Sequence, residues 1–254
     1  MRCVFDGSFD GLMTLVFDTY RLSHQVGEVA EEAEAASLLP GRFFPSDDVK
    51  ARRIKRYLET RLGEEFAFMV KAAFLSSRPA RFLAIVKTIH RACRLGPGVL
   101  DLLDEETLAF LRCQQEVRRE AHRFEGLLRF SEMTDGRLLA VFGPRHHVLP
   151  LIMPHFAARF PGEEWIIYDE LRRVAGLYDR GELSFARVEA VNPDESAQEQ
   201  EIQGLWRVFF RQLAIREREN PALQKQHMPQ YTWKNLPEMR EMVGIGKTPS
   251  AVVK

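Results

Sequence analysis

Five side chains of this 254-residue chain could do acid–base or metal chemistry if folding gathered them: Asp6, Asp10, Glu120, His122 and Asp169. Converging carboxylates can hold a divalent ion, as in nucleases, and an adjacent imidazole can pass a proton. None of the five has the spacing of a ligand motif. The other candidates come only in pairs, His146 with His147 or His155 and His90 with Cys93, whereas a metal site takes three or four ligands. The expectation is no resident metal and no cofactor, with a divalent ion entering only if the chain is a nuclease.

The opening stretch, Cys3 to Gly11, reads CVFDGSFDG. It resembles the start of nucleotidyltransferases, where a strand runs into a Gly-Ser-Phe-Asp turn that receives a phosphate. Those enzymes also need paired histidines in the following helix to neutralise charge on the transferred phosphoryl group. Here that helix reads LMTLVFDTYRL, and no histidine occurs before His24. What remains is a turn in which Gly7, Ser8 and Gly11 allow close backbone approach, with amides at a helix start that could take an anion. The GIGKT near the C-terminus lacks the first glycine of a phosphate loop, because Glu241 stands there.

Basic groups are the more informative set. They gather at Lys50–Arg56, at Arg112–Arg129 with Arg118, Arg119 and Arg123, and at Arg207–Lys234. The last segment interleaves Arg207, Arg211, Arg216, Arg218, Lys225 and Lys234 with Trp206, Phe209, Phe210, Tyr231 and Trp233. Cations contact phosphates and aromatic rings stack on unpaired bases. Acidic segments lie at Glu28–Glu34 and Glu189–Glu201, so a net charge of zero can hide a polarised surface.

The elements that must position these groups follow from periodicity. Residues 2–5 read as a strand, Asp10 as the cap of a first helix, and Ser46 as the cap of the helix KARRIKRYLETRL. Pro79 opens a further helix, and residues 104–123 form a long charged one. Past Gly126, Thr134-Asp135-Gly136 marks a β-hairpin. A helix containing Pro150 and Pro154 follows, and EEWIIYD with VAGLYD makes a second β pair, with LSFARV as a possible extra strand. The fold class is α+β: a β-hairpin/helix/β-hairpin sheet, mixed or antiparallel, with an N-terminal strand and many packing helices. It reads as one domain over residues 1–243, helix-rich across 12–123, sheet-rich across 126–190, and ending in a helix and loop over 200–240. Residues 244–254 read as a flexible tail.

Bulk composition bounds the class. An apolar fraction of 45% and a charged fraction of 28% are those of an ordinary globular protein. No apolar run approaches the ~20 residues of a bilayer span, and no signal-peptide pattern opens the chain. Three scattered cysteines without a C-x-x-C suit reduced thiols. The reading is cytoplasmic, with no membrane partner.

Four stretches carry a resemblance in order: VFDGSFDGLMTLVFDTY, VRREAHRFEGLLRFSEM, PHFAARFPGEEWIIYDELRRVAGLYD and NPALQKQHMPQYTWKNLPE, from residue 4 to about 238. They are similar to a bacterial domain of unknown function associated with DNA metabolism and DNA repair. That family typically sits beside a radical-SAM protein of DNA modification or repair, and similar domains occur fused to uracil-DNA-glycosylase-like domains. The resemblance implies DNA and the radical-SAM protein as partners and supplies no catalytic residues. Its pattern covers Asp6, Gly7, Phe9, Asp10 and Gly11, then Glu120, His122, Arg123, Arg129 and Phe130. It continues through His155, Phe156, Arg159, Trp165, Asp169 and Arg172 to Asn220, Pro221, Gln224, Gln226, Pro229 and Trp233. Where the family reads Pro-basic-basic-aromatic-Trp, this chain has Pro229-Gln230-Tyr231-Thr232-Trp233, without those charges.

Three functions stay open. The first is a nucleic-acid-binding accessory in which Arg119, Arg123, Arg129, Arg159 and Arg172 contact phosphate and Trp165 or Trp233 offers a stacking face. The second is an enzyme acting directly on DNA, a glycosylase or metal-dependent nuclease, using Asp6, Asp10, Glu120 or Asp169 with His122 as acid or base. The third is a protein-binding scaffold.

Overall fold

Cys3, Val4 and Phe5 are consecutive apolar residues, a pattern that suits a strand covered on both faces. In the computed structural model they form β1 (Arg2–Phe5), the centre of a parallel three-stranded sheet between β2 (Glu28–Glu31) and β3 (Arg42–Phe44). Cys3 faces Val29 on one side and Arg42 on the other. The structure describes residues 1–32, 41–102, 104–191, 194–213 and 220–239. The expected tail at 244–254, Arg216, Arg218, and parts of both acidic segments lie outside the described residues.

Helix α1 (Phe9–Thr19) follows β1 directly. Its cap is Ser8, not Asp10: Ser8 Oγ accepts from the Gly11 N–H at 2.8 Å. Asp10 already lies inside the first turn, where it pairs with Lys55 at 2.8 Å. Asp6 folds back over the same turn, its Oδ1 accepting from Ser8 N at 2.9 Å and Ser8 Oγ at 2.7 Å. The anion at this helix start is therefore the chain's own carboxylate. Gly11 is required by that arrangement, since a Cβ there would collide with the Asp6 carboxylate and lie 2.9 Å from its Cγ.

Gly11→Ala is expected to destabilise this unit by about 1–3 kcal/mol, the usual cost of overpacking. In an Asp6→Ala background the same change should cost less, because the obstacle is gone. Thermal melts by far-UV circular dichroism over the four-variant cycle measure this; additive effects would show that Asp6 does not need the glycine.

Helix α2 (Asp48–Tyr57) is capped by Asp47, one residue later than expected, with Oδ1 taking Val49 N and Lys50 N. Those bonds, the one from Lys50 first, hold its carboxyl below the ordinary range. A single π-helical turn, Leu58–Leu62, leads into α3 (Glu64–Phe74). Helix α4 (Arg81–Leu95) begins two residues past Pro79, which sits in the preceding turn. These elements close over one core containing Phe5, Leu12, Met13, Phe82, Ile85 and Phe110.

Helix α5 (Glu105–Leu127) carries the chain out of this first compact unit, 1–119, into a second, 120–254. The second unit is built on a five-stranded mixed sheet, ordered β4-β5-β6-β7-β8. The first hairpin is β4 (Ser131–Glu132) with β5 (Leu138–Phe142), around the expected Asp135-Gly136 turn. From β5 the chain crosses through α6 (Leu149–Arg159) to β6 (Trp165–Asp169), parallel to β5. Pro150 lies in the first turn of α6 and Pro154 inside it. The second hairpin, β6 with β7 (Val174–Asp179), continues into β8 (Glu182–Arg187). The fold is α+β, and the sheet is two antiparallel hairpins joined by one parallel pair. The N-terminal strand belongs to the separate sheet of the first unit.

Helices α7 (Ala197–Leu213) and α8 (Pro221–His227), then a 3-10 run over Gln230–Asn235, complete the second unit. Trp233, Leu236 and Met239 make a small core of their own with Phe210 and Met228.

Candidate nucleic-acid interface

The parallel pair β5 and β6 ends in register, Phe142 beside Asp169. Carboxyl ends of parallel strands are where crossover sheets leave backbone free to meet a ligand. Here the segment leaving β5, residues 143–148, is held from several directions. Glu120, on the inward face of α5 with Ala121 and Phe124, accepts from Arg145 N at 3.0 Å and His146 N at 2.7 Å. Arg172 donates to the carbonyls of Pro144 at 3.0 Å and Arg145 at 2.6 Å. The same guanidinium pairs with Asp169 at 3.0 Å, while Asp169 Oδ1 accepts from Leu171 N and Arg172 N. Burial pushes the Asp169 carboxyl up, against the pull of those donors.

Glu170 fixes the start of the segment. Its N–H donates to Phe142 O at 3.0 Å, and a Cβ at Gly143 would lie 2.8 Å from its Oε1. Its carboxylate takes Lys234 Nζ at 2.7 Å and Asn235 Nδ2 at 3.1 Å, tying the C-terminal 3-10 run to the same place. From that run Tyr231 donates its hydroxyl to Glu120 at 2.6 Å. Burial, and then the Glu120 carboxylate, push the phenol up to about 12, with Arg123 opposing. The Tyr231 ring in turn carries the guanidinium of Arg145, 4.9 Å from its centroid. His147 is buried at its Nε2, which has no hydrogen-bond partner among the described residues. Burial, then Arg172, hold that imidazole down at about 4.

Charge is matched unevenly here. Asp169 pairs with Arg172 and Glu170 with Lys234, whereas Arg123 and the exposed Arg145 form no ion pair among the described residues. The result is a backbone segment pinned from several sides, with the Arg145 cation over the Tyr231 ring at its rim.

The expected site residues are divided by this arrangement. Glu120, Asp169 and Arg172 meet at residues 144–146, and Arg123 lies beside Tyr231. His122 points away, its side chain 88% exposed and bonded to Glu125 at 3.1 Å. Asp6 and Asp10 belong to the turn of the first unit. Arg119 is exposed on α5, and Arg159 is exposed over the Phe160 ring. Arg129 is engaged by Glu238 at 3.0 Å and by the carbonyls of Gly126 and Leu128. Arg172 is spent on its own backbone in the same way. Trp165 and Trp233, expected to offer a stacking face, are buried: Trp165 stacks on Tyr178 at 5.0 Å, and Trp233 donates to Met228 O.

The expected polarised surface is also modified. On α2, Lys50 pairs with Asp18 and Lys55 with Asp10, while Arg118 on α5 pairs with Glu65. Arg145 and Glu170 were not singled out by the sequence, and Lys234 and Tyr231 stood only among the cations and rings of the 207–234 segment. The available signal was Pro144-Arg145-His146-His147 placed directly behind a strand.

Among the described residues no three His, Cys, Asp or Glu side chains are placed to hold a metal ion. Nor is any helix among them long and apolar enough to cross a membrane. Two α+β units, the second a mixed sheet with a rigid cationic rim, define the class of protein. The chain belongs to the family described as a domain of unknown function (DUF4130), whose profile matches residues 79–238. No curated protein and no solved structure matches it.

Proposed function

We propose that this chain is a cytoplasmic DNA-binding accessory protein of DNA repair or DNA metabolism, acting with a radical-SAM partner. The observation that carries the DNA-binding reading is Arg145: exposed, without a carboxylate partner among the described residues, and placed over the Tyr231 ring. An exposed guanidinium can meet a phosphate through its N–H groups and offer its face to an unpaired base. Arg123 adds positive charge on α5 within the same unit. The backbone beneath Arg145 is pinned by Glu120 and Arg172, so little ordering entropy is lost on binding. The repair role and the radical-SAM partner rest on the family resemblance. The scattered free thiols Cys3, Cys93 and Cys113 suit a reducing compartment.

The direct-enzyme reading draws no support from its candidates. Glu120 and Asp169 are saturated by donors of the fold, and Asp6 caps its own turn.

Fluorescence anisotropy with single- and double-stranded oligonucleotides across a salt series tests the binding reading. Affinity should fall steeply with salt, and Arg145→Ala should lower the slope of log K against log salt by about 0.7–0.9, one phosphate contact. Arg145→Lys should keep the slope and lose affinity on single strands, where stacking counts. No binding, or binding indifferent to salt, overturns the reading. Co-purification with the radical-SAM protein tests the partner separately.

A further inference from the structure

Helix α7 is apolar on the side it turns away from its own unit. Its inner face packs through Gln203, which donates to Glu199 at 2.8 Å and Ser131 at 3.1 Å, and through Phe210 against the small C-terminal core. Its outer face carries Ile202, Leu205, Val208 and Phe209 at helical spacing, with Leu205 71% exposed and the others about half exposed. With Trp206 at the edge, these side chains leave on the order of 500 Å² of apolar surface in water, the size at which a patch on a monomer marks a contact site. Beside the stripe lies a cavity of about 410 Å³ lined by Arg129, Phe130, Ile202, Gln203, Trp206 and Pro237.

We propose that a second copy of this chain covers that face, in a two-fold dimer made by antiparallel pairing of α7. The arrangement of knob and hole on one helix points to it. A two-fold axis crossing between Leu205 and Trp206 brings the Phe209 of each copy opposite the Ile202 of the other, at the mouth of the cavity. The contact is made twice, as an isologous interface requires. Beside the axis, Leu205 of each copy meets Trp206 of the other.

Charge follows the same symmetry. Off the buried face the helix has the exposed Glu201 in its N-terminal half and the half-exposed Arg207 in its C-terminal half. Antiparallel pairing turns Glu201 of each copy toward the end of the partner helix that carries Arg207, and opposes the two helix dipoles. Covering both stripes removes on the order of 1,000 Å² from water, the lower bound for a specific interface.

Sedimentation of the full chain across a concentration series tests the dimer. The expected species at the upper end has twice the 29.3 kDa chain mass. Leu205→Glu, with far-UV circular dichroism unchanged, should sediment as a monomer at every concentration. Leu205→Cys should form a disulfide-linked dimer on mild oxidation, faster than wild type with its three native thiols. A wild-type monomer throughout overturns the proposal and leaves the stripe to a different protein or to another part of the chain. A dimer that survives Leu205→Glu and gives no cross-link through Leu205→Cys overturns it equally.

Discussion

Glu120→Ala is expected to lower the stability of the second unit by about 3–5 kcal/mol, because each buried donor left unpaired costs roughly 1–3 kcal/mol. Three donors lose their acceptor: Arg145 N, His146 N and the Tyr231 hydroxyl. The first belongs to an exposed residue and can find water, which keeps the total below the sum of three full penalties. Glu120→Gln should cost less, about 1–2 kcal/mol, since it keeps one oxygen and turns an NH2 toward a donor. All three tryptophans, Trp165, Trp206 and Trp233, lie in the second unit, so their fluorescence in a urea titration reports this unit. A midpoint unchanged in Glu120→Ala would show that residues 144–146 do not depend on the carboxylate. Loss of DNA affinity in Glu120→Gln at preserved stability would tie the pinned backbone to the proposed interface.

The split between what was readable and what was not follows the range of the interactions. The Asp135-Gly136 turn is local chemistry, with Gly136 at φ 84°, and it was legible at once. So were α1, α2 and α4 and the mixed sheet's helix crossover. The separate sheet around β1 was not, because parallel pairing of Cys3 with Val29 and Arg42 joins strands with no turn between them. The caps missed by one or two residues are competitions between neighbouring oxygens, Ser8 against Asp10 and Asp47 against Ser46. Only geometry decides them.

The site was half legible for the same reason. Glu120, Asp169 and Arg172 were visible as polar residues, but what they hold is backbone, Pro144 to His146, which carries no side-chain signature. Counting basic residues also misjudges which cations are available. Lys50, Lys55, Arg118 and Arg129 have carboxylate partners, while Arg145, from no basic cluster at all, has none among the described residues. Aromatic residues mislead likewise: the indoles of Trp165 and Trp233 are core, while Trp206 and Phe209 on α7 are exposed.

The second unit is also expected to lose stability in mild acid through His147. Its imidazole sits at about 4 in the folded chain, below the ordinary 6.5, because burial and Arg172 disfavour the cation. The folded state therefore holds the neutral ring, and the unfolded chain takes up the proton first as pH falls. The contribution is fully present above about pH 6.5 and lost between there and about pH 4, at most ~3 kcal/mol. Asp169 acts in the opposite sense lower down: its raised carboxyl binds a proton more readily in the folded state just above its ordinary 3.8. His90, also held low by burial, belongs to the first unit, which has no tryptophan. Urea midpoints by tryptophan fluorescence at about pH 7 and about pH 4.5 should differ more in wild type than in His147→Phe, which has nothing to protonate there. Equal differences in the two proteins would place the acid sensitivity elsewhere. A larger difference in His147→Phe would mean that the ring is charged in the folded state, with Arg172 turned away from it.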